Sequence, residues 1–123
     1  MSASIRIGAV SLDCADPREL AGFYARLFGA EITYETDDFA AIRLDHIWLS
    51  MVKIDSYTPP TWPADTIPKQ VHLDLAVTDL IEGERNAIAS GATRMSVQPN
   101  PEHWIVLRDP AGHPFCITTL IPD

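Results

Sequence analysis

Two stretches of the chain repeat one another. Val10-Ser-Leu-Asp-Cys-Ala-Asp16 leads into Arg18-Glu-Leu-Ala-Gly-Phe-Tyr-Ala-Arg-Leu-Phe28 and then Gly29-Ala-Glu31. Leu73-Asp-Leu-Ala-Val-Thr-Asp79 leads into a second helical run and then Gly91-Ala-Thr93. Asp16 and Asp79 stand 63 positions apart, Gly29 and Gly91 62 positions apart. In each copy a period-two strand pattern ends at an Asp whose carboxylate can accept the first free N–H groups of a helix. The helix then stops at a Gly able to take the left-handed conformation.

Working outward, Leu20, Phe23, Tyr24, Leu27 and Phe28 recur at spacings of three and four and predict one apolar stripe. Leu80, Ile81, Ala87, Ile88 and Ala89 predict a weaker stripe in the second helix. Short strand-like runs follow each helix: 31–35, 39–44 and 47–54 in the first copy, then 93–97, 104–108 and 115–120 in the second. Turn residues punctuate them at Asp37-Asp38, Asp45-His46, Pro99-Asn-Pro101 and Asp109-Pro-Ala-Gly112. The order is β-α-β-β-β twice, an α+β class, with module one at 5–54 and module two at 71–121. Residues 55–70 carry Pro59, Pro60, Pro63 and Pro68 around Trp62, too many prolines for a helix or a central strand. They read as an ordered linker.

At 123 residues and 46% hydrophobic content the chain suits one compact domain with a core that needs no disulfide or structural metal. Seventeen acidic residues against nine basic give a formal charge of −8, which argues against a nucleic-acid partner because phosphate binding needs clustered Lys and Arg. No apolar run approaches the roughly 20 residues of a membrane span, and Met1-Ser-Ala-Ser-Ile-Arg6 lacks the pattern of a secretion signal. A cytoplasmic protein without membrane partners is expected. Cys14 and Cys116 show no short metal-binding or redox spacing and read as buried thiols.

The tandem modules, together with Phe23-Tyr24 and the closing Asp109-Pro-Ala-Gly-His-Pro-Phe115, resemble the vicinal oxygen chelate superfamily of glyoxalases, bleomycin resistance proteins and extradiol dioxygenases. Pro59-Pro-Thr-Trp-Pro63, Val71-His-Leu-Asp-Leu-Ala-Val77 and Asp109-Pro-Ala-Gly-His-Pro-Phe-Cys116 are similar to its bacterial glyoxalase-like subgroup. The resemblance implies curved mixed sheets around a concave cleft. It also implies up to four metal-ligand positions, falling on Ala9, His72, Cys116 and a residue near Val52. Only His72 is an ordinary ligand there, and a catalytic ion normally needs about three protein ligands. No cofactor is therefore expected. His72 and Cys116 alone make a weak two-ligand candidate for a soft metal, poorly suited to Mg²⁺, Mn²⁺ or Fe²⁺.

If His72 faces the cleft as the resemblance implies, strand alternation puts Asp74 beside it. Alternation likewise puts Ser11 and Asp13 beside Ala9, Ser50 and Trp48 beside Val52, and Thr118 beside Cys116, with Trp104 as a further wall. An aromatic cleft with a few polar groups suits a small molecule. Asp13 and Asp74 read equally as solvated surface, and Trp48, Trp62 and Trp104 as core or interface. The expected function is metal-independent binding of a small aromatic or cationic metabolite or drug. The alternatives are a metal-free enzyme using His72, Asp74 or Asp13 for proton transfer, and a metal-dependent lyase, isomerase or dioxygenase. The linker, with Tyr57 and Trp62, is a candidate seam for a homodimer, and whether the cleft lies within one chain or between two stays open.

Overall fold

The computed structural model describes residues 5–122. The chain divides into two compact units, one ending at Tyr57 and the other beginning at Thr58.

The first unit contains β1 (Ala9–Cys14), α1 (Pro17–Phe28), β2 (Ile32–Glu35), β3 (Phe39–Arg43) and β4 (Trp48–Lys53). Asp16 is extended at φ −134° and its carboxylate accepts from Arg18 N and Glu19 N, while Pro17, which has no N–H to lose, occupies the first turn. Gly29 ends the helix at φ 64°, its N–H bonded to the Ala25 carbonyl. Leu20, Phe23 and Tyr24 are buried as the stripe predicts, Ala21 joins them, and Leu27 and Phe28 are half-buried; they pack against β3 and β4, which supply Ile42, Leu49 and Met51. Burying each of the large side chains favours folding by about 1.5–3 kcal/mol. The sheet order is β1-β4-β3-β2, with β1 parallel to β4 and the other pairs antiparallel. Cys14 is fully buried, and its thiol points at the Val52 carbonyl, 3.6 Å away.

The second unit contains β5 (Leu73–Ala76), α2 (Leu80–Ser90), β6 (Thr93–Arg94), β7 (Trp104–Arg108) and β8 (Pro114–Thr118). Its sheet order, β5-β8-β7-β6 with β5 parallel to β8, repeats the first. Asp79 caps α2 through Ile81 N and Glu82 N.

The apolar stripe expected on α2 is corrected. Of its five residues only Ala87 is buried, and Ile81 and Ile88 are exposed. A Cβ built on Gly83 would lie 2.9 Å from Val77 Cγ1 and 3.3 Å from Ile117 Cδ1. The helix therefore meets the sheet along Gly83 and Ala87, one turn apart, and close backbone approach rather than large side chains makes the contact.

Strand β6 is also shorter than the expected 93–97. Backbone pairing ends one residue beyond Arg94, where Met95 N donates to the Val106 carbonyl at 3.1 Å, and the Gln98 side chain then takes over: its amide N–H groups donate to the Met95 and Val106 carbonyls at 2.8 Å and its oxygen accepts from Val106 N at 2.9 Å. The Pro-rich segment is neither helix nor strand. It is tied by Thr61, whose hydroxyl accepts from Ile67 N at 2.7 Å and whose backbone N–H donates to the Ile67 carbonyl at 2.8 Å.

The turn from β7 to β8 is built on Asp109, 4% exposed, whose carboxylate accepts from Ala111 N and His113 N. Gly112 lies there at φ +89°, and a Cβ on it would stand 2.7 Å from Pro59 Cβ. Gly112→Ala should therefore cost roughly 1–3 kcal/mol through left-handed strain and the clash. Gly8→Ala, at a position open within 4 Å, should leave the melting temperature almost unchanged. Equal melting curves for the two variants would show that the turn does not constrain this segment.

Candidate small-molecule site in the second unit

The register of β5, β8 and β7 sets which side chains share one face. Asp74 stands opposite Cys116 and Ala76 opposite Thr118, while Trp104 pairs Thr118 across β7 and β8. His72, two residues before Asp74, falls on the same face. His72, Asp74, Trp104, Cys116 and Thr118 line a cavity of about 330 Å³ that is completed by Trp62, Leu120 and Ile121. This volume is within the range of small-molecule pockets.

His72 Nε2 lies 2.9 Å from Asp74 Oδ1. The imidazole is covered on one face by Trp62, ring centroids 5.1 Å apart and planes 18° from parallel. Lys69 Nζ sits 5.2 Å from the centre of the same indole, a cation–π distance. Thr118 is held in place, its hydroxyl donating to the His103 carbonyl at 3.0 Å and accepting from Leu120 N at 3.1 Å. Half of the Asp74 side chain remains exposed (51%), against 18% for His72, so the carboxylate is the accessible charge of the site. Burial pushes the Cys116 thiol up from 9.0 to about 11, and the negative charge of Asp74 adds to the rise while Lys69 opposes it.

His72, Asp74, Trp104, Cys116 and Thr118 are thus together as alternation suggests. Trp62, read as core, interface or ligand platform within the linker, stacks on His72 and forms a wall. Leu120 and Ile121 lie beyond the last strand and were not singled out. The signal for Trp62 was the lone tryptophan among prolines; the C-terminal pair carried none.

The first-unit candidates lie on their own sheet. Ser11 and Ser50 are register partners whose hydroxyls meet at 2.7 Å. Asp13, opposite Val52, is exposed. Trp48 pairs with Arg43, whose guanidinium lies 5.7 Å from the indole centre. Register therefore sets the Phe39–Ala41–Arg43 row on the face of Trp48 and Ser50.

A larger concavity of about 550 Å³ opens beside the start of α2. Its charged groups are already engaged: Asp79 caps the helix, and Arg94 pairs with Glu84 at 2.6 Å. The smaller cavity, with two indoles and an accessible carboxylate, is the better candidate site.

The donor set does not fit a hard divalent ion of the Mg²⁺ or Mn²⁺ class. The cavity contributes one carboxylate where such ions take mostly oxygen ligands. The expected pair His72 and Cys116 is nevertheless joined by a third donor, Asp74, with the three donor atoms within 4.8 Å of one another.

Solved structures with the same fold include a possible glyoxalase from Bacillus cereus, 15% identical over 94% of this chain and 99% of that one, with a TM-score of 0.68. A variant of the fosfomycin resistance protein of Listeria monocytogenes, solved with Mn(II) and a dihydroxypropylphosphonic acid, is 17% identical over 96% and 91%, TM-score 0.70. The bleomycin-binding protein of Streptomyces verticillus, solved with copper(II)-bleomycin, is 20% identical over 95% and 98%, TM-score 0.61. No curated protein matches the sequence significantly. These likenesses establish the fold, two four-stranded open sheets each with one helix, as the vicinal oxygen chelate resemblance implies. Residues 9–118 match the family model described as a glyoxalase-like domain, and the chain belongs to that family.

Proposed function

We propose that the protein captures a small aromatic cation in the second unit's cavity without the help of a hard metal ion. The carrying observation is the pairing of two indole walls, Trp62 and Trp104, with one accessible carboxylate, Asp74. Aromatic faces attract cations and stack on planar rings, while Asp74 offers a charge-assisted bond. That the Streptomyces verticillus relative binds bleomycin supports the reading of the fold as one that holds drugs. The face of the first unit carrying Ser11, Asp13, Trp48 and Ser50 is a further candidate surface, to be tested by Trp48→Ala in the same assay. Self-association as a homodimer remains our reading of the quaternary state, and a 13.6 kDa species in sedimentation would overturn it.

A second reading, metal-free proton transfer, is favoured by the His72–Asp74 hydrogen bond. It requires turnover that survives a chelator and is lost in His72→Ala. Nucleophilic catalysis by Cys116 is disfavoured, because a reactive thiolate needs an electropositive setting and this thiol faces Asp74 in a buried place.

In a thermal-shift screen of planar cations, a ligand at 100 times its Kd should add about 2.7 kcal/mol of stability, roughly 10 °C. Trp62→Ala and Trp104→Ala should abolish most of that shift, and Asp74→Asn should weaken cations by roughly tenfold while sparing neutral isosteres. A broad library without a hit, or hits indifferent to all three substitutions, would remove the proposal.

The Cys116 thiol bears on stability at alkaline pH. Its folded value lies above its ordinary one, so its contribution is fully present below pH 9.0 and is lost as pH rises towards about 11. Cys116→Ser should therefore lose less stability than wild type across that window. Superimposable pH–stability curves would show that the thiol ionises as freely in the fold as in the unfolded chain.

A further inference from the structure

Beside the two indoles the cavity holds a cluster of unlike donors. Imidazole, carboxylate and thiol meet at one end of the cavity, each of His72, Asp74 and Cys116 offering a donor atom within 4.8 Å of the other two. Local sequence alone does not assemble it: Cys116 reaches Asp74 because β8 pairs with β5 in that register. Around a tetrahedral ion, N, O and S donors at about 2.0–2.3 Å from the metal stand roughly 3.4–3.6 Å apart. Side-chain rotation of about an ångström would close the set to that spacing.

We propose that His72, Asp74 and Cys116 form a three-donor site for a thiophilic divalent cation of the Zn²⁺ and Co²⁺ class, contained wholly in the second unit. The chemistry of the donors selects the ion. Sulfur and imidazole suit Zn²⁺ and Co²⁺, whereas Mg²⁺ and Mn²⁺ prefer oxygen ligands, of which the site has one residue. Asp74 is the informative member. It is not among the four ligand positions implied by the family resemblance, yet it stands two residues after His72 on the same strand face and already touches it at 2.9 Å. The ion would replace that hydrogen bond with a shared bond to both partners. Coordination forms an S–metal bond and releases the thiol proton to solvent. Three protein ligands leave a fourth position open towards the cavity. The proposal does not rest on the organic-ligand reading and is tested with the ion alone.

The test is a Co²⁺ titration of the full chain carrying Cys14→Ser, so that Cys116 is the only thiol, followed by absorption spectroscopy and calorimetry. One ion should bind per chain with a thiolate-to-cobalt charge-transfer band in the near ultraviolet. Cys116→Ser should abolish the band. Loss of even outer-shell partners costs about 10–100-fold in affinity, so His72→Ala and Asp74→Asn should each weaken binding by at least about tenfold. Zn²⁺ should displace Co²⁺, and equal Mn²⁺ or Mg²⁺ should not. Asp74→Asn is a conservative change at a half-exposed side chain, so the test stands even where the His72 variant folds poorly. Binding without the sulfur band, affinity unchanged in Asp74→Asn, or displacement by Mn²⁺ would each overturn the site.

Discussion

In the second unit β5 and β8 are far apart in sequence but run parallel, with Asp74 against Cys116 and Ala76 against Thr118. Every feature of the cavity depends on that register. A slip of one residue would turn His72 and Asp74 to the helix side and bring Leu73 and Leu75 to the open face. The register is held by the buried side: all five residues of β8 are buried, and α2 lies against the sheet through Gly83 and Ala87. The Asp109 turn, with Gly112 in the left-handed region, sets where β8 begins.

The same architecture carries different side chains in the two units. Both use an Asp cap, a Gly stop and a parallel pairing of first and last strands. In the first unit the helix contributes bulky aromatic residues to a packed core, and the polar pair on the sheet, Ser11 and Ser50, satisfies itself. In the second the helix approaches through small residues, and the sheet face carries groups of mixed chemistry, nitrogen, oxygen and sulfur, beside two indoles.

The site also shows how charge and burial divide labour. Cys116 is buried and held in its thiol form by its surroundings, while Asp74 on the neighbouring strand keeps half of its side chain in solvent. Trp62 covers His72 and in turn carries Lys69 above its ring. The Pro-rich segment is thus a wall of the cavity, fixed by the Thr61–Ile67 bonds.

Much of this is legible in the residues because it is local or periodic. The caps, the α1 stripe, the strand order and the co-facing of His72 with Asp74 and of Cys116 with Thr118 follow from spacing, since a helix repeats every 3.6 residues and a strand every two. The buried state of Cys14 follows from residue type. Tertiary structure decided the rest. Whether Asp74 meets Cys116 depends on a long-range register that no local pattern encodes. Whether α2 packs through Ile81 and Ile88 or through Gly83 depends on how near the backbone of β8 can come, and only the assembled sheet settles that. Trp62 is a wall of the cavity because the linker folds back onto His72, a contact between segments whose own sequences specify turns and nothing about their destination.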